Sequence, residues 1–332
     1  MTTRRRFLSV IGASAALAPL ARAGAVPSSG VATWKGVAMG ALASMTLVHP
    51  DRAKARAAIG QSVLEIERLE SILSLYRPDS ALRRLNAGGE LRDAPHELVE
   101  LLSFALALAR QSDGAFDPTV QPLYRLYADH FARPGAAASG PSAQAIDAVL
   151  RHVDFTAVDV ESGRIRLRKP GMAITLNGVA QGFVTDRVAA LLRRAGFDRV
   201  LVDMGEARAL GERPDGGPWR AALADPLQPA RTLLDLPLGE ADGTFSALST
   251  SAGYGTRFGP DPRIHHLLDA RTGRSANHYA QVSIAASRAT LADGLSTTIA
   301  IVEPSRSAAL LAAFDPVAAW FVDATGTLRA RS

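Results

Sequence analysis

Apolar positions recur with a helical period in several long stretches of this chain and alternate in others. From Asp51 to Tyr76, the residues Ile59, Val63, Ile66, Leu69, Ile72 and Leu73 keep a 3.6-residue spacing, which predicts a long amphipathic helix. "RPDS" (77–80) breaks it, and "ALRRLNAGG" runs on to a glycine pair. "ELVELLSFALALARQSDG" (97–114) predicts a second helix that stops at Asp113-Gly114, and residues 182–197 a third that ends at Gly196. Residues 133–142 read as a Gly/Pro/Ser loop before a short helix near 143–152. The period falls to two elsewhere. "WKGVAMGALASMTLV" (34–48) predicts a strand leading to a turn at His49-Pro50, and "TAVDVESGRIRLRKP" a hairpin that turns at 161–163. A strand is predicted over 199–211, with hairpins over 219–237 and 242–258. Helices follow over 291–301 and 304–314, and "AAWFVDATGTLRARS" predicts a closing hairpin. No internal repeat is present, and helices mixed with antiparallel hairpins define an α+β fold.

One of these helices carries a conflict. In "LADGLSTTIA" (291–300), Leu291, Leu295, Ile299 and Ala300 mark a buried helix, yet Asp293 lies among them. Thr297 follows four residues later, so both polar groups share one face, a turn apart. A carboxylate beside an apolar stripe is costly unless a positive or hydrogen-bonding partner compensates it.

The first residues change the reading of charge. "MTTRRRFLSVIGASAALAPLARAGA" has a basic start, an apolar middle and small residues at a cleavage position, the pattern of an export signal over 1–25. "TRRRFL" resembles a twin-arginine signal, which implies a periplasmic protein. A linker is expected over 26–33 and the folded domain over 34–332. The whole chain carries 37 basic and 32 acidic residues, but the signal holds Arg4, Arg5, Arg6 and Arg22. Without it the chain is near-neutral, which removes the electrostatic case for nucleic-acid binding. Past the signal no apolar run is long enough to span a bilayer. No cysteine is present, which excludes disulfides, thiol chemistry and thiolate metal sites.

Four polar clusters remain, each open to two readings. Asp117 and Thr119 in "DGAFDPTVQPL" (113–123) suit a turn or cap as well as a site. Gly178 and Gly182 in "ITLNGVAQGFVTD" (174–186) suit helix packing, or a helix start whose bare N–H groups face an anion. His265, His266 and Asp269 in "RIHHLLDARTG" (263–273) suit a core-and-surface pair or a source of a general base. Asp293 and Thr297 suit a structural pair or a metal site. Ser249 and Ser251 lack the G-x-S-x-G elbow of a serine hydrolase.

The order of these blocks resembles the ApbE family of FAD:protein FMN transferases. The resemblance runs from "AMGALASMTL" through "LSLYRPDSALRRLN", "GAFDPTVQPL", "LNGVAQGFVTDRVAALL", "LVDMGE", "STSAGY" and "HHLLDARTG" to "ADGLSTTIAI", roughly residues 34–326. It implies one α+β, T-fold-like domain of two mixed subdomains, with antiparallel sheets around a central FAD cleft. It also implies Mg²⁺-dependent transfer of FMN from FAD to a threonine or serine hydroxyl of a flavoprotein subunit, with AMP released. Alternatives are flavin binding or delivery without transfer, and FAD hydrolysis to FMN and AMP. The family's metal ligands carry over to Asp293 and Thr297, with carbonyls at Gly178 and Ser296. Its flavin contacts carry over to Met39, Tyr76, Ala115, Phe116, Asp117, Thr175, Gln181 and Leu268. Of the histidine pair, His266 is favoured over His265 as the base that activates the acceptor hydroxyl.

The chain departs from the usual pattern in four places. Thr175 stands for an aspartate and Gln181 for a lysine; Glu206 replaces the second glycine of a pair, and Ala270 a proline. "LNGVAQGF" with "DMGE" and the twin-arginine signal resembles the NosX branch. That branch implies a flavin-accepting subunit of a membrane redox protein as partner, NosR-like or of the Rnf/Nqr type.

Overall fold

A computed structural model describes residues 30–241, 244–314 and 317–331; the expected export signal lies outside them. The chain order begins with strands β1 (Val31–Ala38) and β2 (Ala41–Val48), then helices α1 (Arg52–Leu73) and α2 (Ala81–Gly88). Strand β3 (Glu90–Arg92) and helices α3 (His96–Gln111), α4 (Gln121–Phe131) and α5 (Ala143–Leu150) follow. Strands β4 (Val158–Glu161) and β5 (Arg164–Leu167) precede α6 (Ala180–Arg194), β6 (Val200–Asp203) and β7 (Ala207–Leu210). Next come β8 (Trp219–Ala224), β9 (Thr232–Leu238), β10 (Ala247–Ser251), β11 (Leu268–Asp269) and β12 (Arg274–Ser275). The remainder is β13 (Gln281–Ala286), α7 (Ala289–Ile301), α8 (Pro304–Ala312), β14 (Ala318–Val322) and β15 (Leu328–Arg331).

Eight strands form an antiparallel sheet in the order β1-β2-β6-β7-β10-β13-β14-β15. Both of its faces are covered, and β13 shows why its sequence lacks polar alternation. Val282, Ile284 and Ala286 face the helical core, while Ala285 faces a second cluster under the β8–β9 hairpin, with Trp219 and Leu223. Helices α1, α6 and α7 pack against the sheet. The same apolar core continues through α3 to the small antiparallel sheet β3-β5-β4. No helix among the described residues is long and apolar enough to cross a membrane.

Four sequence expectations are corrected here. The strand predicted over 34–48 is a hairpin, because Met39 (φ +51°) and Gly40 (φ +82°) supply the two left-handed positions of a two-residue turn. Strand β1 starts at Val31, opposite Val48, so residues 31–33 of the expected linker are paired. Residues 199–211 are two strands that turn around Gly205 (φ +99°). Of the hairpin predicted over 242–258, only β10 forms, and its neighbours in the sheet are β7 and β13. All four depend on pairing, which periodicity does not report. The helices sit where their caps stop them: the Asp51 carboxylate accepts from the N–H groups of Ala53 and Lys54, and Gly89 (φ +71°) ends α2.

Candidate active site

Asp293 lies in a helix buried on almost every side: of α7, only Thr297 is not fully buried. The register of α7 against α6 is set by Asp186, whose carboxylate accepts from the N–H groups of Ala289 and Thr290 at 2.9 and 3.0 Å, and pairs with Arg208. This caps α7 from a neighbouring helix. It also lets α6 come so close that a Cβ on Gly182 would stand 2.3 Å from the Ala289 carbonyl oxygen. Close approach brings the Gly182 N–H to Asp293 Oδ2 at 2.9 Å.

That bond answers the anion expectation for Gly182: its N–H is spent on Asp293 and faces no ligand. At the third position of α6 this amide has no acceptor within its own helix, so Asp293 caps it from α7. Among the described residues the Gly178 carbonyl accepts no backbone hydrogen bond. Gly178, Asp293 and Thr297 all line one cavity. The Thr297 hydroxyl is 3.1 Å from that of Ser251. Burial, with repulsion from Asp186 added, drives the Asp293 carboxyl up to about 7.

The cavity has apolar walls. Met39, Tyr76, Phe116, Thr175, Gln181 and Leu268, positions to which the family resemblance assigns flavin contacts, line it. Tyr76 stands 61% exposed, an aromatic face open at the cavity; the turn that carries it is held by Ser74 Oγ, which accepts from the Tyr76 N–H. Met39 is held in its left-handed turn by donation of its N–H to Glu70 at 2.7 Å. Asp117 also lines the cavity, but its carboxylate is occupied: Oδ1 accepts from the N–H and hydroxyl of Thr119, and Oδ2 from the Phe155 N–H. The turn reading of Asp117-Pro118-Thr119 accounts for those bonds. Burial nonetheless pushes this carboxyl up to about 6.

Two expected contacts fall behind the wall. Ala115 is fully buried, does not line the cavity, and its carbonyl accepts from the Ala270 N–H at 3.2 Å. Ser296 also lies outside the lining, within α7, where a carbonyl is taken by the helix's own N–H four residues on. Its hydroxyl bonds those of Ser249 and Ser251.

The histidines separate. His266 lines the cavity; its Nδ1 lies 3.2 Å from the Thr256 carbonyl, which can only accept. Nδ1 therefore carries the proton and Nε2 keeps its lone pair. Burial lowers the pKa of His266, so the ring is neutral near pH 7. His265 is core: Nδ1 accepts from the Leu267 N–H, Nε2–H faces Asn277 Oδ1 at 3.3 Å, and the ring packs on Gly253. Burial, then repulsion by His266, depresses its pKa to about 4.

The residues fit a flavin dinucleotide and one divalent cation. An apolar cavity with an exposed aromatic suits planar rings, and a lone carboxylate, hydroxyl and free carbonyl are oxygen donors for a hard ion. Comparison with known proteins decides the family. The model described as the ApbE family matches residues 39–321. The chain belongs to the ApbE family.

Relatives extend the match over most of the chain. An FAD:protein FMN transferase of Treponema pallidum is 33% identical over 291 residues, spanning 81% of this chain and 78% of that protein. One from Klebsiella pneumoniae is 29% identical over 292 residues, spanning 85% and 82%. Among solved structures, the flavin transferase ApbE of Vibrio cholerae superposes with a TM-score of 0.76 at 25% identity, covering 91% of this chain and 98% of that one. The flavinyl transferase ApbE of Pseudomonas stutzeri gives 0.75 at 27%, covering 92% and 97%. Within this ApbE-family cavity, motif reading did not single out Tyr124, Ser251 or Thr256 as lining residues. Tyr124 looks like an ordinary position on an amphipathic helix, and the others become neighbours of Thr297 and His266 only through the fold. Glu206, noted only as a departure from a glycine pair, also lines it.

Proposed function

We infer that this chain is an FAD:protein FMN transferase, which moves FMN from FAD to a threonine or serine hydroxyl of a target flavoprotein and releases AMP. The observation that carries this reading is the meeting, in one apolar cavity, of buried Asp293, the open Gly178 carbonyl, the Thr297 hydroxyl and neutral His266. Asp293, Thr297 and Gly178 would hold Mg²⁺; when bound, the ion supplies charge neutralisation on pyrophosphate oxygens. Tyr76, Phe116, Leu268 and Met39 provide the flat apolar surfaces that orient the rings.

His266 Nε2 takes the proton of the acceptor hydroxyl, and the oxygen attacks the FMN phosphorus. One P–O bond forms to the acceptor as the P–O bond to AMP breaks, so AMP leaves with the bridging oxygen. Thr256 holds the imidazole by accepting from Nδ1–H, which orients Nε2 and favours the positive ring that forms. The apolar walls limit competing attack by water.

The finer reading is a NosX-type periplasmic enzyme exported by a twin-arginine signal, acting on a flavin-accepting subunit of a membrane redox protein. Its support is the "TRRRFL" start and the "LNGVAQGF" and "DMGE" blocks. The test is incubation with FAD, Mg²⁺ and an acceptor domain. AMP release matched by covalent fluorescence on the acceptor is expected. AMP and free FMN regardless of acceptor would mark a pyrophosphatase, and bound FAD with no AMP a delivery protein.

A further inference from the structure

Glu206 has no role in the chemistry above, yet it is only 6% exposed, lines the cavity that holds Asp293, and its Oε2 has no hydrogen-bond partner. Its backbone is pinned. The Glu206 carbonyl accepts from the Met204 N–H at 3.2 Å and the Thr185 hydroxyl at 3.1 Å, which closes the β6–β7 turn. The Ser249 hydroxyl and the Thr250 N–H sit beside the carboxyl. Among the described residues no arginine, lysine or histidine forms an ion pair with it. Arg208, two residues on, pairs with Asp186 through Nη1, and its Nε has no partner. Gln181 packs on the same turn, so close that a Cβ on Gly205 would stand 2.6 Å from its Nε2, and that amide nitrogen is itself unpartnered. Asp293, and then Asp203, repel the Glu206 carboxylate. Two buried carboxylates on one cavity need a proton or a cation to coexist, and an all-oxygen donor set suits Mg²⁺ or Mn²⁺.

We propose that Glu206 binds the same divalent cation as Asp293, making this a two-carboxylate site that takes up its metal before FAD arrives. The proposal rests on reading Asp293 as a cation ligand. A single carboxylate leaves a dication half-neutralised and dependent on substrate phosphates, whereas two carboxylates neutralise it without them. The neutral Gln181 amide, packed from α6 against the turn that carries Glu206, brings no positive charge to compete with the ion.

The test is Mn²⁺ binding, followed by the electron paramagnetic resonance signal of free Mn²⁺, with and without FAD. Wild type should bind one Mn²⁺ without FAD. Glu206→Gln and Asp293→Asn should each weaken that binding at least roughly tenfold, the lower end of what losing even an outer-shell partner does. Glu206→Asp, which keeps the charge, should fall between. In EDTA, Glu206→Gln should melt at or above the wild-type temperature, because an unpaired buried charge is gone; a clearly lower melting point makes Glu206 structural and overturns the proposal. Wild-type Mn²⁺ affinity in Glu206→Gln, with binding lost in Asp293→Asn, overturns the role of Glu206 and leaves Asp293 standing. Binding by wild type only when FAD is present does the same. No Mn²⁺ uptake under either condition overturns both.

Discussion

Gly182→Ala tests the contact that assembles the site. A Cβ there would lie 2.3 Å from the Ala289 carbonyl oxygen and 2.7 Å from Asp293 Cβ. The first is about 1 Å inside ordinary contact, so α6 and α7 must separate by a comparable amount. Overpacking of this kind costs about 1–3 kcal/mol. The higher helix propensity of alanine returns at most ~1 kcal/mol, and less in the first turn of a helix. A net loss of about 1–2 kcal/mol corresponds to a fall in Tm of roughly 1–3 °C for a chain of 332 residues, at about 2.1 cal/mol/K of unfolding entropy per residue. The same displacement stretches the 2.9 Å bond from the Gly182 N–H to Asp293, and a hydrogen bond to a charged group contributes about 1.5–3 kcal/mol. Asp293 then loses its fixed orientation, and Mn²⁺ affinity should drop roughly 10–100-fold. Thermal melts and Mn²⁺ titration measure the two effects separately. Gly60→Ala is the control: Gly60 lies inside α1 with no atom within 4 Å of the added Cβ, so it should raise stability by up to ~1 kcal/mol. If Gly182→Ala behaves like Gly60→Ala and binds Mn²⁺ as wild type does, the close approach does not position Asp293 and the reasoning fails.

His266→Ala should slow FMN transfer roughly 10²–10⁴-fold while FAD and Mn²⁺ still bind; AMP release with acceptor present reads this, and an unchanged rate removes His266 from the chemistry. His265 should matter for stability. Its pKa of about 4, against 6.5 in the unfolded chain, means that it folds neutral, so its contribution is whole above pH 6.5 and is lost as pH falls from 6.5 to 4. At about 1.4 kcal/mol per unit, this single group accounts for about 3 kcal/mol of acid destabilisation. His265→Gln should flatten that part of a stability-versus-pH curve, and an unaltered curve would falsify the assignment. Tyr76→Ala should weaken FAD binding about 2–13-fold, since aromatic pairing contributes about 0.5–1.5 kcal/mol beyond area burial; fluorescence titration showing equal affinity would take the ring out of the flavin's path.

What could be read from the chain alone was whatever one element determines within itself. The period of Ile59 through Leu73 marks α1, Asp51 and Gly89 mark helix ends, and the four-residue interval puts Asp293 and Thr297 on one face of α7. Block order pointed to the family, because motif spacing is a linear property. Tertiary structure decided the rest. The Met39-Gly40 turn divides an apparently continuous strand, and β10 pairs with β7 and β13, which no local pattern specifies. Ala115 and Ser296 lie one layer behind residues that face the cavity. Gly182 resembles the start of an anion site until Asp293, 111 residues away, takes its N–H. Glu206 stands out in the sequence only as a departure from a glycine pair, because a carboxylate at a turn is ordinarily solvated. Here the fold buries it beside a second carboxylate. The local chain sets the direction of a side chain through helix and strand geometry. Whether its charge or hydrogen bond is satisfied depends on partners that only folding brings within 3 Å or so.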